Sequence, residues 1–245
     1  MAGSAPGVPL YREVKRLLMD ALIAGDWRPG TALPAERVLA DRFEVAIGTL
    51  RKAVDDLVQE NILVRQQGRG TFVATHSRER YQFQFFHVVD RGGHAEYPHV
   101  RLLDFRKGRA EDEEAAALRI ARGGPVFRIK NLLAMRGAPV DVDRITLAQQ
   151  RFPGLTDRQL RERPGTLYQL YQTAFAITVV RSAERLRAVG ADEDAARLLG
   201  VDPGSPLLEI RRVAFTYADD PVEFRLSVVN TADHDYVTDL RPDRR

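Results

Sequence analysis

The sequence predicts an α+β chain of two modules: helices closed by a short hairpin, then a larger, mainly antiparallel sheet with helices. Three observations predict it. Apolar residues recur at helical spacing from Leu10 to Val58, whereas Tyr81, Phe83 and Phe85 alternate with Gln82 and Gln84 as in a strand. A polar, basic run without apolar periodicity, ATHSRER at 74–80, separates the two patterns. An internal repeat then fills the second module. Its matched positions lie 81 residues apart (Leu118 with Leu199, Pro125 with Pro206), sliding to 82 at Pro139 and Pro221.

In the first module, Leu10, Val14, Leu17, Leu18, Ala21 and Leu22 form one stripe of a helix that Gly25 is placed to end. Trp27 reads as core. After Pro29-Gly30, the stretch from Leu33 to Val73 reads as helix, tight turn, longer helix and two-stranded wing. Val38, Leu39 and Phe43 mark the first of these helices, and Ile47, Leu50, Val54, Leu57 and Val58 the second. Thr49, Arg51 and Lys52 share the second helix but lie off its apolar line. A small, polar, basic front on an apolar-backed helix suits the major groove of DNA. In the hairpin, Gly68 and Gly70 permit a tight tip, and Arg69 between them is placed to reach phosphate or a minor groove.

Composition narrows the function classes. The 245 residues are 44% hydrophobic and include no cysteine. Disulfides and thiolate metal sites are thereby excluded, and a cytoplasmic setting is expected. No run approaches the ~18 apolar residues of a membrane span, so no membrane partner is expected. MAGSAPGVP lacks the apolar segment of a secretory signal and is expected to be a short disordered arm, residues 1–9. The net charge of +3 is small, but from Arg65 to Arg80 four arginines (65, 69, 78 and 80) stand against the single acid Glu79; a solvated loop would carry such charge too, but its position at the wing favours a DNA partner.

In the second module, Gly92-Gly93 and Pro98 mark a loop and Val100 to Phe105 a strand. Each repeat reads helix, Gly-x-Pro turn, strand, short turn, strand, with MRGAP and YADDP as the hairpin turns. This pattern predicts an antiparallel sheet with helices on one face and a pseudo-two-fold, and a cleft between related halves is a natural ligand site. His87, His94 and His99 invite a metal hypothesis, but their spacings fit neither one helix face nor a known ligand pattern. No metal and no cofactor are expected.

The first third of the chain resembles the winged helix-turn-helix of the GntR family of bacterial transcription regulators. The matching residues run from Pro9-Leu10-Tyr11 through Pro29-Gly30, Leu33-Pro34, Glu36-Arg37 and Thr49-Leu50-Arg51 to Arg65 and Gln67-Gly68-Arg69-Gly70-Thr71-Phe72-Val73. The resemblance implies DNA contacts at Arg37, Arg51, Gly68 and Arg69. With the helix front and the wing, the candidate DNA-binding set is Arg37, Thr49, Arg51, Lys52, Arg65, Gly68, Arg69 and Gly70. Three positions depart from the family. Glu44 stands where the turn often has glycine, and Ala46 and Ile47 replace the usual Ser/Thr and Arg opening the recognition helix. Ala46 offers no side-chain cap, worth about 1 kcal/mol, and Ile47 offers an apolar contact to a thymine methyl in place of a guanine contact.

The rest of the chain resembles the UTRA ligand-sensing domain of the HutC branch, related in fold to chorismate lyase. The pieces that match include Gly124-Pro125-Val126, Ala138-Pro139-Val140, Phe152-Pro153-Gly154-Leu155, Thr166-Leu167-Tyr168, Gly204-Ser205-Pro206, Pro221-Val222-Glu223 and Asp235-Tyr236. The resemblance implies a domain over 81–241 that binds an effector and dimerises, joined by the 74–80 linker to a winged helix-turn-helix over 10–73. Family sensors of phosphosugars use two arginines that fall here on Asn131 and Leu133, and two acids that fall on Asp143 and Glu223. Loss of both arginines argues against a phosphosugar, because anion binding favours bidentate charge. Pro164-Gly165-Thr166 opens a helix where the backbone N–H groups suit an anion or Thr166 serves as a plain N-cap. The candidate effector-binding residues are Asn131, Asp143, Thr166, Tyr168, Glu223 and Arg225, and the effector class favoured is a carboxylate.

The function expected is a sequence-specific regulator, a repressor released from a double-stranded DNA operator by a small metabolite and acting as a homodimer. The alternative is an enzyme of chorismate-lyase-like fold acting on a small carboxylic acid. No nucleophile elbow, metal cluster or phosphate-cradling loop supports it, so no catalytic residue is assigned. His76 is expected to be solvated or to help the linker meet phosphate.

Overall fold

The computed structural model describes residues 9–77, 84–163 and 165–238. Most of the arm expected over 1–9, the Tyr81–Phe83 part of the expected strand, and Pro164 lie outside them. The chain forms two compact units, Met1–Thr75 and His76–Arg245.

In the first unit, α1 (Leu10–Ala24) buries Val14, Leu18, Ala21 and Leu22 and stops at Gly25, whose left-handed φ of 82° lets the next amides bond back to the last turn. Then come α2 (Glu36–Arg42) and α3 (Ile47–Gln59). Between them Glu44 takes φ 53°, the left-handed geometry for which family relatives often use glycine. Leu39, Leu50, Val54 and Leu57 are buried, each worth about 1.5–3 kcal/mol of transfer free energy. Three residues assigned to the apolar faces from sequence are not core: Leu10 at the start of α1 is 50% exposed, and on α2 and α3 Val38 is 56% and Ile47 45% exposed. Helical spacing alone does not separate core from front at these positions. Strands β1 (Leu63–Gln66) and β2 (Gly70–Val73) form the wing, in register Leu63 with Val73 and Gln66 with Gly70.

The second unit is built on a six-stranded antiparallel sheet. Its strands are β4 (His99–Arg109), β5 (Pro125–Met135), β6 (Ala138–Ala148), β7 (Arg181–Gly190), β8 (Pro206–Thr216) and β9 (Asp220–Val229), in the order β4-β5-β6-β9-β8-β7. A small separate pair joins β3 (Val88–Asp90) to β10 (His234–Tyr236). The order reads the same from either edge because the repeat is structural. One copy is β4, α4 (Asp112–Leu118), β5 and β6. The other is β7, α7 (Glu193–Leu199), β8 and β9. The copies join where β6 pairs with β9.

The repeated helices share one face of the sheet. Ala195, Ala196 and Leu199 of α7 pack on Leu132, Val142 and Val228, while Ala115 of α4 packs on Val126. The opposite face is covered too, which the repeat did not foretell. It holds α5 (Asp157–Glu162) and α6 (Leu167–Phe175) from the connection between the copies. Phe152, Leu155, Leu160, Leu167, Tyr168 and Tyr171 of that connection bury against Ile129, Leu133, Ile145 and Ile210 in the main core. The connection carries its own apolar payload and so needs its own sheet face. Phe85 is fully buried in this core, although no strand is assigned to it.

Candidate DNA interface and effector site

On the first unit, the eight residues proposed from sequence lie on α2, on α3 and in the wing. Arg37, Arg51, Lys52, Arg65, Gly68, Arg69 and Gly70 are exposed and Thr49 is half-buried. Ala46 precedes α3 without a side-chain cap bond. Gly68 and Gly70 take φ of 72° and 106°, so the tip needs the glycines that the sequence supplies. Arg69 lies over the Phe72 ring, and the Lys52 ammonium lies 4.0 Å from the centre of the Tyr11 ring. Arg51 and Arg65 both meet Glu36, which the sequence reading left out.

On the second unit, alternation along β5, β6, β8 and β9 sends Asn131, Asp141, Asp143, Arg212, Glu223, Arg225 and Ser227 to the face covered by α5 and α6. All are buried. Arg225 is their centre: Nη1 donates to Asp143 Oδ2 at 2.8 Å and Nε to Glu223 Oε1 at 2.9 Å. Ser227 donates to the other Asp143 oxygen. Two hydroxyls from α6 complete the shell of Glu223, Tyr168 at 3.0 Å and Tyr171 at 2.7 Å. Burial, and then the Glu223 charge, push the Tyr171 phenol well above its ordinary pKa and keep it a donor.

Asp141 behaves differently. Burial first, and the Asp143 charge second, drive its carboxyl well above the ordinary range, and Arg225 and Arg212 offset only part of this. Its Oδ1 and the Oδ1 of Asn131 have no hydrogen-bond partner among the described residues. Farther along the face, Glu184 resists burial: Arg212, the Tyr236 hydroxyl and His87 together hold its carboxyl below the usual value.

A cavity of about 510 Å³ opens between the start of β4 and the end of α5, lined in part by Val100, Arg101, Leu102, Arg161, Arg163 and Gly165 and by none of the residues of this network. Among the described residues no acid lines it. Leu102 pairs across the sheet with Asn131. Thr166 caps α6 by accepting from Gln169 N at 3.0 Å.

Comparison with known proteins agrees with both halves. Residues 10–73 match the family described as bacterial regulatory proteins, gntR family, and residues 94–235 match the UTRA domain. The chain belongs to the GntR family of regulators and carries a UTRA domain. This regulator is 28% identical to the HTH-type transcriptional repressor PhnF of Mycolicibacterium smegmatis, over 93% of its own length and 91% of that protein's. It is 28% identical to the histidine utilization repressor of Pseudomonas putida, over 86% and 83%. Its fold matches the ligand-binding domain of a GntR-family regulator from Bordetella bronchiseptica with a TM-score of 0.62 at 34% identity, covering 65% of this chain and 99% of that one. The protein is a DNA-binding transcriptional regulator with an effector domain.

Within the regulator's effector domain, four sequence candidates (Asp143, Tyr168, Glu223 and Arg225) meet in one hydrogen-bonded network. Asn131 sits beside Asp143 by strand register, whereas Thr166 serves as a helix cap. Sequence reasoning missed Tyr171 and Ser227, although each had a signal. Tyr171 follows Tyr168 by three residues on one helix face, and Ser227 continues the two-residue alternation of Glu223 and Arg225.

His76 corrects an expectation. It is 1% exposed, its Nε2 accepts from Val179 N at 3.1 Å, and its ring meets Tyr168 edge-on. It is neither solvated nor free for phosphate, because the residues that bury it lie a hundred positions away and left no local trace. The other histidines form no metal group among the described residues: His94 pairs with Asp90 and His87 packs against Tyr236. No helix among the described residues is long and apolar enough to cross a membrane.

Proposed function

We propose that this regulator is a repressor that binds a pseudo-palindromic operator as a homodimer and is released when a small carboxylate metabolite binds the buried polar face of its effector domain. The observation that carries the effector half is the Glu223–Arg225–Asp143 network under the Tyr168 and Tyr171 hydroxyls. Buried charge is costly unless it is paired or used, and ligand sites are where such groups converge.

Two features favour a carboxylate. The cavity at the β4 edge, whose Leu102 pairs with Asn131, carries Arg101, Arg161 and Arg163, and its Gly165 edge lies beside the N-terminus of α6. Where family phosphosugar sensors have two arginines, Asn131 and Leu133 stand. On this reading Asn131, Asp143, Thr166, Tyr168, Glu223 and Arg225 form the effector site.

On the DNA side, Arg51, Thr49 and Lys52 read or flank the major groove, while Arg37, Arg65, Gly68, Arg69 and Gly70 engage backbone or the minor groove. A dimer is what two half-sites one helical turn apart require. The effector acts by binding the DNA-released state more tightly than the DNA-competent one. The test is an operator-retention titration with carboxylate metabolites. Release by one of them, lost in Arg225→Ala, is the expected result. Retention against every carboxylate with release by another class removes the carboxylate assignment.

A further inference from the structure

Glu36, the first residue of α2, ties together the three elements that meet DNA. Its Oε2 accepts from Arg51 Nε at 3.0 Å and lies 2.9 Å from Arg51 Nη2. Its Oε1 lies 3.4 Å from Arg65 Nη2 on the wing. Arg65 Nη2 is also 2.7 Å from Asp55 on α3. Arg51 is 55% exposed and Glu36 28%. Exposed pairs of this kind contribute little to folding. An acid on the face that meets a polyanion also weakens generic binding, because attraction to phosphate grows with the number of cations free to reach it.

The geometry of the pair suggests what it achieves. A guanidinium carries five N–H groups in a planar fork. Glu36 occupies the inner edge, formed by Nε and Nη2. Nη1 has no partner among the described residues, and with the second Nη2 hydrogen it forms the outer edge. Two parallel N–H groups of that kind make the bidentate contact to guanine O6 and N7.

We infer that Glu36 is a specificity-determining residue: it holds Arg51 side-on so that the outer guanidinium edge reads a guanine, and it keeps Arg51 and Arg65 from indiscriminate phosphate contact. The inference rests on Arg51 facing bases.

The test compares wild type with Glu36→Gln on two probes. One is the duplex enriched by wild-type protein from a random pool, together with its single-base variants. The other is an unrelated duplex of equal length. Glu36→Gln should bind the unrelated duplex more tightly, with a log–log salt slope steeper by about 1 to 2 as two arginines turn to phosphate. Its discrimination at one guanine position should fall about tenfold. Unchanged slope and discrimination would overturn the inference. So would equal weakening on both probes with a lower melting temperature, since that marks Glu36 as a support of the fold. Arg51→Ala separates the two layers: if it leaves every guanine preference intact, the base-facing role of Arg51 fails first.

Discussion

Asp143 and Arg225 occupy equivalent positions in the two copies of the repeat, 82 residues apart, and form an ion pair 2.8 Å long where the copies meet. The same offset relates Asp141 to Glu223. Duplication thus placed two pairs of polar residues about a pseudo-two-fold, and divergence gave the pairs different roles. Glu223 gained two tyrosine hydroxyls from α6, whereas burial, and then the Asp143 charge, raise the Asp141 carboxyl well above the ordinary range.

Glu223→Ala removes one acid of a buried ion-pair network: Arg225 keeps Asp143, but its Nε and the Tyr168 and Tyr171 hydroxyls lose their acceptor in the core. The expected loss is about 3–5 kcal/mol of folding stability, read as a lower denaturant midpoint at unchanged slope. A loss under about 1 kcal/mol would mean that water already solvates this face.

Asp141 makes stability depend on pH in a defined direction. Its carboxyl is raised in the folded state, so the native protein holds a proton that the unfolded chain releases. The contribution is full below the unfolded value near pH 4 and is lost as pH rises through the folded value. Asp141→Asn keeps the neutral shape and removes the linkage. The variant should gain on wild type from about pH 4 upward, by at most ~1.4 kcal/mol per pH unit. Parallel curves for the two proteins in chemical unfolding between pH 4.5 and 8 would place Asp141 in the ionised form.

Arg51→Ala and Arg69→Ala should differ in kind. The first should weaken binding to a selected operator while sparing unrelated DNA. The second should weaken both and lower the salt slope by about 1, the signature of a phosphate contact. An unchanged slope with altered base preference at Arg69 would assign the wing to direct readout.

Glu44 holds a left-handed backbone in the turn between α2 and α3. That conformation costs a non-glycine residue about 1–2 kcal/mol, partly offset by the greater unfolded-state freedom of glycine. Glu44→Gly should therefore raise the first unit's stability by about 0.5–1 kcal/mol. Destabilisation would show that the glutamate side chain compensates the strain.

Much of this was legible in the sequence. The wing glycines, the stripe of α1 and the offset of the repeat are local or periodic signals, and each corresponds to an element in place. What periodicity cannot carry is which side of a helix or sheet faces what. Val38 and Ile47 fit the apolar pattern yet point outward. The covering of the second sheet face came from α5 and α6, a connection outside the repeat. The junction of Asp143 with Arg225 depends on the pairing of β6 with β9, and the burial of His76 depends on Val179; both are long-range facts. Glu36 was visible as a residue, but its clamp on Arg51 and Arg65 exists only once helix and wing are folded.

The most direct test of the account is thermal stabilisation of the whole protein across a panel of carboxylates, amino acids and phosphosugars, run beside Arg225→Ala. A ligand at 100 times its dissociation constant adds about 2.7 kcal/mol. The account predicts that a carboxylate stabilises the wild type and not the variant. Stabilisation by a phosphosugar, or by any compound equally in both proteins, would contradict it.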